Sequence, residues 1–321
     1  MSKLYPLVFQ PVFKERVWGG QRLSQFFPDL PAGRIGEAWV LSDHPQGRTP
    51  VVNGALAGSL LGELQAEFGA ALLGRRGVLD KAAAFPLLLK LLDAQEDLSV
   101  QVHPADGYPG LAAGELGKTE MWVVLHAEPD AKVVFGLQPG MTRMAFATAI
   151  AEGRVMAALR ELKVDSGDVF SVPAGTVHAL GTGLLVAEVQ QSSDTTYRVY
   201  DYDRLGLDGQ PRALQVAHAL AVSHYEAPPA VAKAVPPQPG VWQELCRSPF
   251  FVVAQGECSG EWTQETSPLS FEAVIILTGA GLVAWDDGAV AVHGGTTLLV
   301  PASMGAYRLQ GNFRCLRVRM P

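Results

Sequence analysis

The C-terminal third of the chain alternates short apolar runs with glycine-containing turns. Phe271–Leu277 and Thr297–Val300 are apolar and contain β-branched residues, and glycines such as Gly279 and Gly294 punctuate the chain between them. Short apolar runs separated by turn residues are typical of all-β sandwiches and barrels. The larger N-terminal part has the same texture, so the pattern predicts a mainly β protein.

Two longer segments carry apolar residues at helical spacing instead. The pattern predicts one helix over Leu56–Leu73 and a second over Met141–Leu162. The proline-rich segment Ala227–Gly240 cannot continue a helix and is predicted to be an extended linker. We place a domain boundary in this linker, which predicts an N-terminal domain over residues 1–230 and a smaller domain over residues 231–321.

A short internal repeat relates the two parts of the chain. Glu120–Leu125 (EMWVVL) resembles Glu272–Leu277 (EAVIIL), and the spacing Gly, five residues, Pro-Ala occurs at Gly167–Ala174 and again at Gly295–Ala302. Only the first copy continues with a glycine and then a histidine, His178. The simplest interpretation is a duplicated β-domain in which one copy keeps a site and the other serves as scaffold.

The composition is that of a soluble globular protein, with 48% hydrophobic and 18% charged residues in a chain of 321. Residues Met1–Phe9 lack the features of a secretory signal. The longest apolar stretch, Phe85–Leu92, contains Lys90 and is far shorter than the ~20 residues needed to span a bilayer. We therefore expect a cytoplasmic protein with no membrane partner.

Charge and cysteine content restrict the possible ligands. The net charge of −7 argues against a nucleic-acid partner, which normally requires a basic face, although an anionic small substrate can still bind where cations converge. Cys246, Cys258 and Cys315 are scattered and lack the paired spacing of a zinc knuckle, so we interpret them as reduced core thiols. A metal site in this chain would therefore use nitrogen and oxygen ligands.

Candidate metal ligands of this kind stand near the ends of predicted strands. Gln101 and His103 are two residues apart, so in a strand their side chains project from the same face. Glu120 begins the next strand after the loop Pro104–Gly117, and His178 follows a Pro-Ala-Gly turn. Imidazoles and a carboxylate on separate strands suit a divalent ion of borderline softness, zinc first, with manganese or iron as alternatives.

Motif spacing adds a family resemblance. Gly167–His178, with Gly, five residues, Pro, one residue, Gly, two residues and His, resembles the second motif of the cupin family. The first cupin motif normally has two histidines one residue apart and a nearby glutamate. Here Gln101 takes the place of the first histidine, and sixteen residues separate His103 from Glu120. These departures resemble the type I mannose-6-phosphate isomerases, whose zinc ligands are a Gln-x-His pair, a Glu after a Lys and a distant His.

Further stretches agree with that family between about Trp18 and Arg204, in its short bacterial form. They are Trp18–Gly20, Gly36–Trp39, Phe85–Lys90, Lys118–Trp122 and Gln191–Arg198. The resemblance implies two cupin (jelly-roll) β-barrel domains with a few added helices, the C-terminal one lacking metal ligands. It also implies an aldose-ketose isomerase that acts on a hexose phosphate and holds one Zn²⁺ per chain through Gln101, His103, Glu120 and His178. The remaining implied site residues are the catalytic Arg198 and, around the substrate, Lys90, Ser99, Lys118, Glu188 and Asp194.

Several alternatives stay open at this point. A cupin dioxygenase would use iron at the same ligands, another sugar-phosphate isomerase would share the same logic, and a non-catalytic sugar-binding module is a third possibility. Lys90, Lys118 and Arg198 favour a phosphorylated substrate over a dioxygenase substrate. The catalytic base is open between Glu188, a metal-bound hydroxide and Lys118.

Some of these side chains can have purely structural roles instead. Arg198 can serve instead as an ion-pair partner of Asp201 or Asp203, and Glu37 and Trp39 either line the pocket or pack the barrel. The sequence does not indicate the oligomeric state.

Overall fold

A computed structural model of the chain describes residues 4–78 and 85–321. Within those ranges the chain forms nineteen strands and five α-helices, which confirms the mainly β class with a few added helices. The strands are β1 (Leu7–Val8), β2 (Val12–Gly20), β3 (Ile35–Leu41), β4 (Leu87–Ala94), β5 (Val100–Val102), β6 (Glu120–Ala127), β7 (Lys132–Leu137), β8 (Leu159–Lys163), β9 (Asp168–Val172), β10 (His178–Leu180), β11 (Leu184–Gln191), β12 (Tyr197–Tyr200), β13 (Ala232–Lys233), β14 (Gln243–Arg247), β15 (Val252–Glu265), β16 (Glu272–Trp285), β17 (Gly288–His293), β18 (Thr297–Val300) and β19 (Ala306–Arg319). The helices are α1 (Leu61–Phe68), α2 (Ala70–Gly77), α3 (Arg143–Ala151), α4 (Val155–Ala158) and α5 (Val216–Val222), with short 3-10 helices at Arg22–Gln25 and Gly54–Leu56.

The strands form three antiparallel sheets. The first sheet has the order β13-β9-β6-β11-β4-β3-β2, and the second has the order β12-β5-β10-β7-β8. The third sheet has the order β1-β18-β16-β19-β15-β14, with β17 paired to β16. Although β1 lies near the start of the chain, it pairs with β18 in this C-terminal sheet, so both ends of the sequence contribute to one sheet.

Four buried apolar clusters hold these layers together. One cluster lies between the first and second sheets and includes Trp122, Phe135 and Phe170. On the other face of the second sheet, Phe146 of α3 belongs to a cluster shared with α4 and α5. The largest cluster joins the first sheet to the third, and a fourth fills the interior of the third sheet. The second sheet therefore lies between helices and the first sheet, which fixes the strands β5 and β10 from both sides.

The repeated sequence segments occupy the same position in two different sheets. Glu120, the first residue of β6, pairs with Val172 of β9 immediately before Pro173. Glu272, the first residue of β16, pairs with Val300 of β18 immediately before Pro301. The sequence match therefore corresponds to a shared strand register.

The turn that precedes β9 and β18 is also the same in both copies. The Gly167 amide donates a hydrogen bond to the Val124 carbonyl at 2.8 Å, and the Gly295 amide donates to the Ile276 carbonyl at 2.8 Å. Both glycines have left-handed φ values, +89° and +91°. A residue with a Cβ adopts this conformation at a cost, which explains why glycine stands at both positions.

Both helix predictions need correction. The predicted helix over Leu56–Leu73 is interrupted, because the chain turns sharply at Gly69 (φ +50°) between α1 and α2. The predicted helix over Met141–Leu162 is wrong in its last part, since β8 begins at Leu159 and pairs with β7. Pairing with β7 decides the conformation of residues 159–162, and the spacing of apolar residues within the segment does not reveal this pairing.

The Pro-rich segment, the cysteines and the lack of long apolar helices were also predicted from the sequence. The Pro-rich segment Ala227–Gly240 is irregular apart from β13, which pairs with β9. Cys246, Cys258 and Cys315 are free and buried, as expected. Among the residues that the structure describes, no helix has the length and apolar character required to cross a membrane.

Candidate active site

His103, Glu120 and His178 meet where three strands begin or end. His103 follows β5, Glu120 opens β6 and His178 opens β10, and each side chain is about 1% exposed. Their candidate ligand atoms all lie within 4.8 Å of one another. In the described parts of the chain, this is the one group of three such side chains close enough to share a metal ion.

Backbone carbonyls orient both imidazoles toward this cluster. His103 Nδ1 lies 2.9 Å from the Thr195 carbonyl oxygen, and His178 Nδ1 lies 2.9 Å from the Thr176 carbonyl oxygen. Because a carbonyl can only accept, each Nδ1 carries the proton, and each Nε2 presents a lone pair toward Glu120 at 3.5 Å and 3.4 Å. Metal-binding histidines are commonly held in this way.

The carboxylate of Glu120 is only partly satisfied by protein groups. Its Oε2 accepts a hydrogen bond from Lys118 Nζ at 2.5 Å, whereas Oε1 is buried without a hydrogen-bond partner. Lys118 Nζ also lies 3.0 Å from His103 Nε2. A buried carboxylate oxygen without a donor is costly, and a cation bound between it and the imidazole lone pairs would satisfy it. The donor set therefore fits a divalent metal ion.

Burial and charge set the protonation states that metal binding requires. Burial lowers the pKa of His103 and, despite the nearby Glu120 carboxylate, that of His178. Burial acts to raise the pKa of Glu120, but Lys118, His178 and Lys90 together lower it below its usual value. Two neutral imidazoles and one carboxylate are thus available near neutral pH.

Gln101 lies beside the cluster, as its spacing from His103 predicts. It pairs with His178 across β5 and β10, and its Nε2 lies 3.3 Å from His178 Nε2. The two ends of an amide side chain can be exchanged by a half-turn, which would bring Oε1 to the same position as a ligand atom.

A cavity of about 600 Å³ adjoins the cluster. Gln101 and Lys118, which contact the cluster, also line this cavity. The structure therefore brings the predicted residues together at one place. Those that line the cavity are Lys90, Ser99, Gln101, Lys118, Glu188, Asp194 and Arg198.

Lys90 reaches the cavity from the middle of the apolar strand β4. Its Nζ lies 3.4 Å from Glu188 Oε1, 3.9 Å from Glu37 Oε2 and 5.1 Å from the centre of the Trp39 ring. Burial acts to lower the pKa of Lys90, but the carboxylates of Glu188 and Glu37 raise it above its usual value. Lys90 is therefore a buried, charged side chain that is already paired with two carboxylates.

Glu188 faces Lys90 across β11 and β4. Its Oε2 accepts a hydrogen bond from Trp122 Nε1 at 3.1 Å. Burial and the nearby carboxylate of Glu120 raise the pKa of Glu188. A cavity-lining carboxyl group with a raised pKa can accept and return a proton near neutral pH.

Arg198 lines the cavity and makes no direct ion pair among the described residues. Its Nε donates to Ser99 Oγ at 3.2 Å, and its Nη1 donates to the Ala213 carbonyl at 2.8 Å. The alternative role as an ion-pair partner is not what the structure shows, because Asp201 pairs with Arg204 and Arg212 instead.

Glu37 both lines the cavity and contacts the packed interior. It accepts hydrogen bonds from Trp39 Nε1 at 2.6 Å and from Arg16 Nε at 2.7 Å, while Trp39 itself is buried. Burial acts to raise the pKa of Glu37, but Lys90 and Arg16 lower it to about 2. Of the two alternatives left open by the sequence, Glu37 lines the pocket, whereas Trp39 packs in the protein interior.

Sequence patterns did not identify some of the residues that line the cavity. Arg16, Asp208 and Arg212 line the cavity, but they stand in polar segments with no motif or periodicity that marks them. The orienting carbonyls of Thr195 and Thr176 belong to the backbone, which sequence patterns do not identify as a site. Thr195 does lie within Gln191–Arg198, the stretch that agrees with the isomerases.

Comparison with known proteins finds relatives along nearly the whole chain. The family model "Phosphomannose isomerase type I, catalytic domain" matches residues 7–113. The mannose-6-phosphate isomerase ManA of Bacillus subtilis (strain 168) is 37% identical over 97% of this chain and 98% of its own length. The mannose-6-phosphate isomerase of Streptococcus mutans is also 37% identical, over 97% of both chains.

Solved structures extend the agreement to the fold. A mannose 6-phosphate isomerase from Bacillus subtilis matches with a TM-score of 0.85 and 34% identity, covering 98% of this chain and 99% of that one. A zinc-bound mannose 6-phosphate isomerase shares the fold, with a TM-score of 0.76 and 17% identity over 98% of both chains. On the strength of the near-full-length matches and the shared fold, this chain belongs to the type I mannose-6-phosphate isomerase family.

Proposed function

We propose that this protein is a zinc-dependent mannose-6-phosphate isomerase that interconverts mannose 6-phosphate and fructose 6-phosphate. The observation that carries the proposal is the buried cluster His103, Glu120 and His178 beside a cavity lined by charges of both signs. The near-full-length relatives that bear this activity in their names support it. The chain would act in the cytoplasm as an aldose-ketose isomerase.

One zinc ion per chain would be held by His103, Glu120 and His178, with Gln101 as the fourth ligand. Nitrogen and oxygen donors without cysteine suit zinc in a catalytic site. When bound, the ion supplies a Lewis acid that polarises the carbonyl and hydroxyl oxygens of the sugar. The carbonyls of Thr195 and Thr176 keep the two imidazoles aligned for this purpose.

The reaction requires that a proton leave C2 of the aldose and be delivered to C1, while a hydroxyl proton moves from O2 to O1. Glu188 is the carboxyl group that we assign to the carbon-bound proton, because it lines the cavity and its pKa is raised. In its deprotonated form it takes the proton from C2 of the substrate, and in its protonated form it returns that proton to C1. We do not assign Lys118 as the base, because its ammonium group donates a hydrogen bond to Glu120.

Charge develops on the sugar oxygens in the enediolate intermediate. Arg198 carries a permanent positive charge at the cavity wall, and we assign it the role of stabilising that charge. Lys90, Ser99, Lys118 and Asp194 complete the proposed contacts with the substrate. Lys90 is held toward the cavity by Glu188 and Glu37, so it needs little reorganisation when the substrate binds.

The assignment of two cupin domains, over residues 1–230 and 231–321, belongs to the same proposal. It is supported by the repeated register of Glu120 with Val172 and of Glu272 with Val300.

A coupled assay tests the function directly. Purified protein should convert mannose 6-phosphate into fructose 6-phosphate, and a chelator should abolish this conversion until zinc is restored. Metal analysis should find about one zinc ion per chain in the wild type and in His293→Ala, a control outside the cluster, but not in His103→Ala or His178→Ala. Oxygen consumption without isomerisation would show a dioxygenase instead.

A further inference from the structure

Two of the cations in the cavity are already matched by carboxylates. Lys90 is paired with Glu188 and Glu37, and Lys118 donates to Glu120. Because each ammonium group is buried beside its partner, neither contributes an unmatched positive charge. The phosphate group of a sugar phosphate needs such a charge, so it must be supplied from another part of the cavity wall.

Two arginines share one carboxylate beside the cavity, and a third arginine lies near them. Arg204 and Arg212 both pair with Asp201, while burial and the charge of Arg212 lower the pKa of Arg198. Asp201 is the one carboxylate within 4.0 Å of any of these guanidinium groups in the parts of the chain that the structure describes. Among the described residues, these three guanidinium groups therefore have one buried carboxylate within ion-pair distance, while Asp194 and Asp208 line the same cavity without pairing with them.

Of these arginines, Arg198 and Arg212 line the cavity. Arg212 uses its Nε and Nη2 to bind the two oxygens of Asp201, with the Nε contact at 2.6 Å. A guanidinium held by this edge still has the N–H groups of Nη1 available to a ligand. Arg204, in contrast, lies over the ring of Tyr202 at 5.6 Å.

Backbone contacts tie Arg212 to the neighbourhood of Arg198. Arg198 Nη1 donates to the carbonyl of Ala213, the residue that follows Arg212. The Arg198 amide also donates to Gln215 Oε1 at 3.0 Å, and the Gln215 amide donates to the Arg198 carbonyl at 2.9 Å. These contacts hold the chain segment that carries Arg212 against Arg198, and both arginines line the cavity.

Arg198 connects this part of the cavity wall to the metal-ligand cluster. It is the cross-strand partner of Gln101, and its Nε donates to Ser99 Oγ. Gln101, Arg198 and Arg212 all line the same cavity, so a single substrate can contact the wall at each of them.

We propose that Arg212, held in place by Asp201, binds the substrate phosphate beside Arg198 and thereby makes the enzyme select phosphorylated hexoses. The proposal rests on the isomerase function proposed above. Asp201 is a positioning residue in this arrangement, because it orients Arg212 without touching the substrate. Arginine suits the role, since its N–H groups match the oxygens of a phosphate.

Kinetics of Arg212→Gln test the proposal. The KM for mannose 6-phosphate should rise about tenfold or more with kcat changed less than about threefold, because a charge-assisted contact made in both ground and transition states is lost. Asp201→Asn should raise KM by a smaller factor, and Arg212→Lys should recover part of the loss. The matched control is Arg247→Gln, which removes an arginine-carboxylate pair with Glu244 in β14, where neither residue lines the cavity, and should leave KM unchanged. An unchanged KM in Arg212→Gln, or a loss confined to kcat, overturns the assignment.

A second measurement uses the wild-type protein and does not depend on isomerase activity. Inorganic phosphate should slow the reaction of Arg212 with phenylglyoxal, mapped by mass spectrometry of peptides, and should leave the labelling of Arg247 unchanged. Protection of Arg212 supports the anion site even if mannose 6-phosphate is not isomerised, in which case only the proposed function fails. Equal labelling of Arg212 with and without phosphate overturns the anion site.

Discussion

Glu120 and Glu272 occupy the same place in two sheets and have opposite surroundings. Each opens a strand, each pairs with the residue before a Pro-Ala turn, and each is almost completely buried. Glu272 has a partner for both oxygens, Tyr307 Oη at 2.6 Å and Arg317 Nη1 at 3.2 Å. Glu120 has one buried oxygen with no hydrogen-bond donor.

Different neighbouring side chains account for this difference. His178 stands five residues after Pro173 at the start of β10, and Ala306 stands five residues after Pro301 at the start of β19. His178 Nε2 lies 3.4 Å from Glu120 Oε1, whereas Ala306 is exposed and pairs with Glu265, and Arg317 neutralises Glu272 instead. The backbone thus sets where the carboxylate lies, and its neighbours decide whether it is free to bind a cation.

The same substitution in both copies gives the largest contrast. Glu120→Gln should lose zinc and lower kcat by about 10³-fold or more, because the only carboxylate of the proposed site is removed. Glu272→Gln should keep about one zinc ion per chain and near-wild-type turnover. Metal analysis and the coupled assay on both variants measure this, and similar activity in the two variants would break the comparison.

The reverse contrast is expected for stability. Glu272→Gln should lower the free energy of unfolding by about 3 kcal/mol, since it leaves the Arg317 charge buried without its partner. The double variant Glu272→Leu with Arg317→Met should recover most of that loss, because an apolar pair needs no compensation. Urea unfolding of the metal-free proteins measures both, and a double variant no more stable than the single one would contradict this account.

Arg198 separates turnover from metal binding within the first copy. Arg198→Ala should retain zinc and lower kcat by about 100-fold, because one fixed charge near the developing enediolate is lost. Metal content and kcat measured on the same preparation check this. Full activity in Arg198→Ala would remove this residue from the catalytic assignment.

The smallest expected effect is a pH dependence of stability that originates at Glu37. Its pKa of about 2 in the folded protein lies below the ordinary value of 4.5, so the carboxylate contributes stability above pH 4.5 that is lost as the pH falls through this value toward 2. The stability difference between wild type and Glu37→Gln should therefore shrink by about 2 kcal/mol from about pH 5 to about pH 3. Urea unfolding at the two pH values measures it, and a constant difference would show that Lys90 and Arg16 do not hold the charge.

Local patterns predicted the strands better than the helices. Thr297–Val300 is a strand with the predicted bounds, and the repeat based on Glu120 and Glu272 corresponds to an identical register. The helix predicted over Met141–Leu162 wrongly included the start of β8. The spacing of apolar residues within this segment contains no information about β7, the strand with which β8 pairs.

The sequence by itself determined the types of the candidate metal ligands and their approximate placement. Two residues of strand put Gln101 and His103 on one side, and the Gly-Pro-Gly-His spacing determines where the chain turns before His178, because both depend on backbone geometry over a few residues. Only the tertiary structure decided which charged side chains are paired within the protein and which are available to a ligand. Lys90 faces Glu188 and Arg212 faces Asp201 through packing of distant or irregular segments, and spacing along the chain contains no record of such contacts.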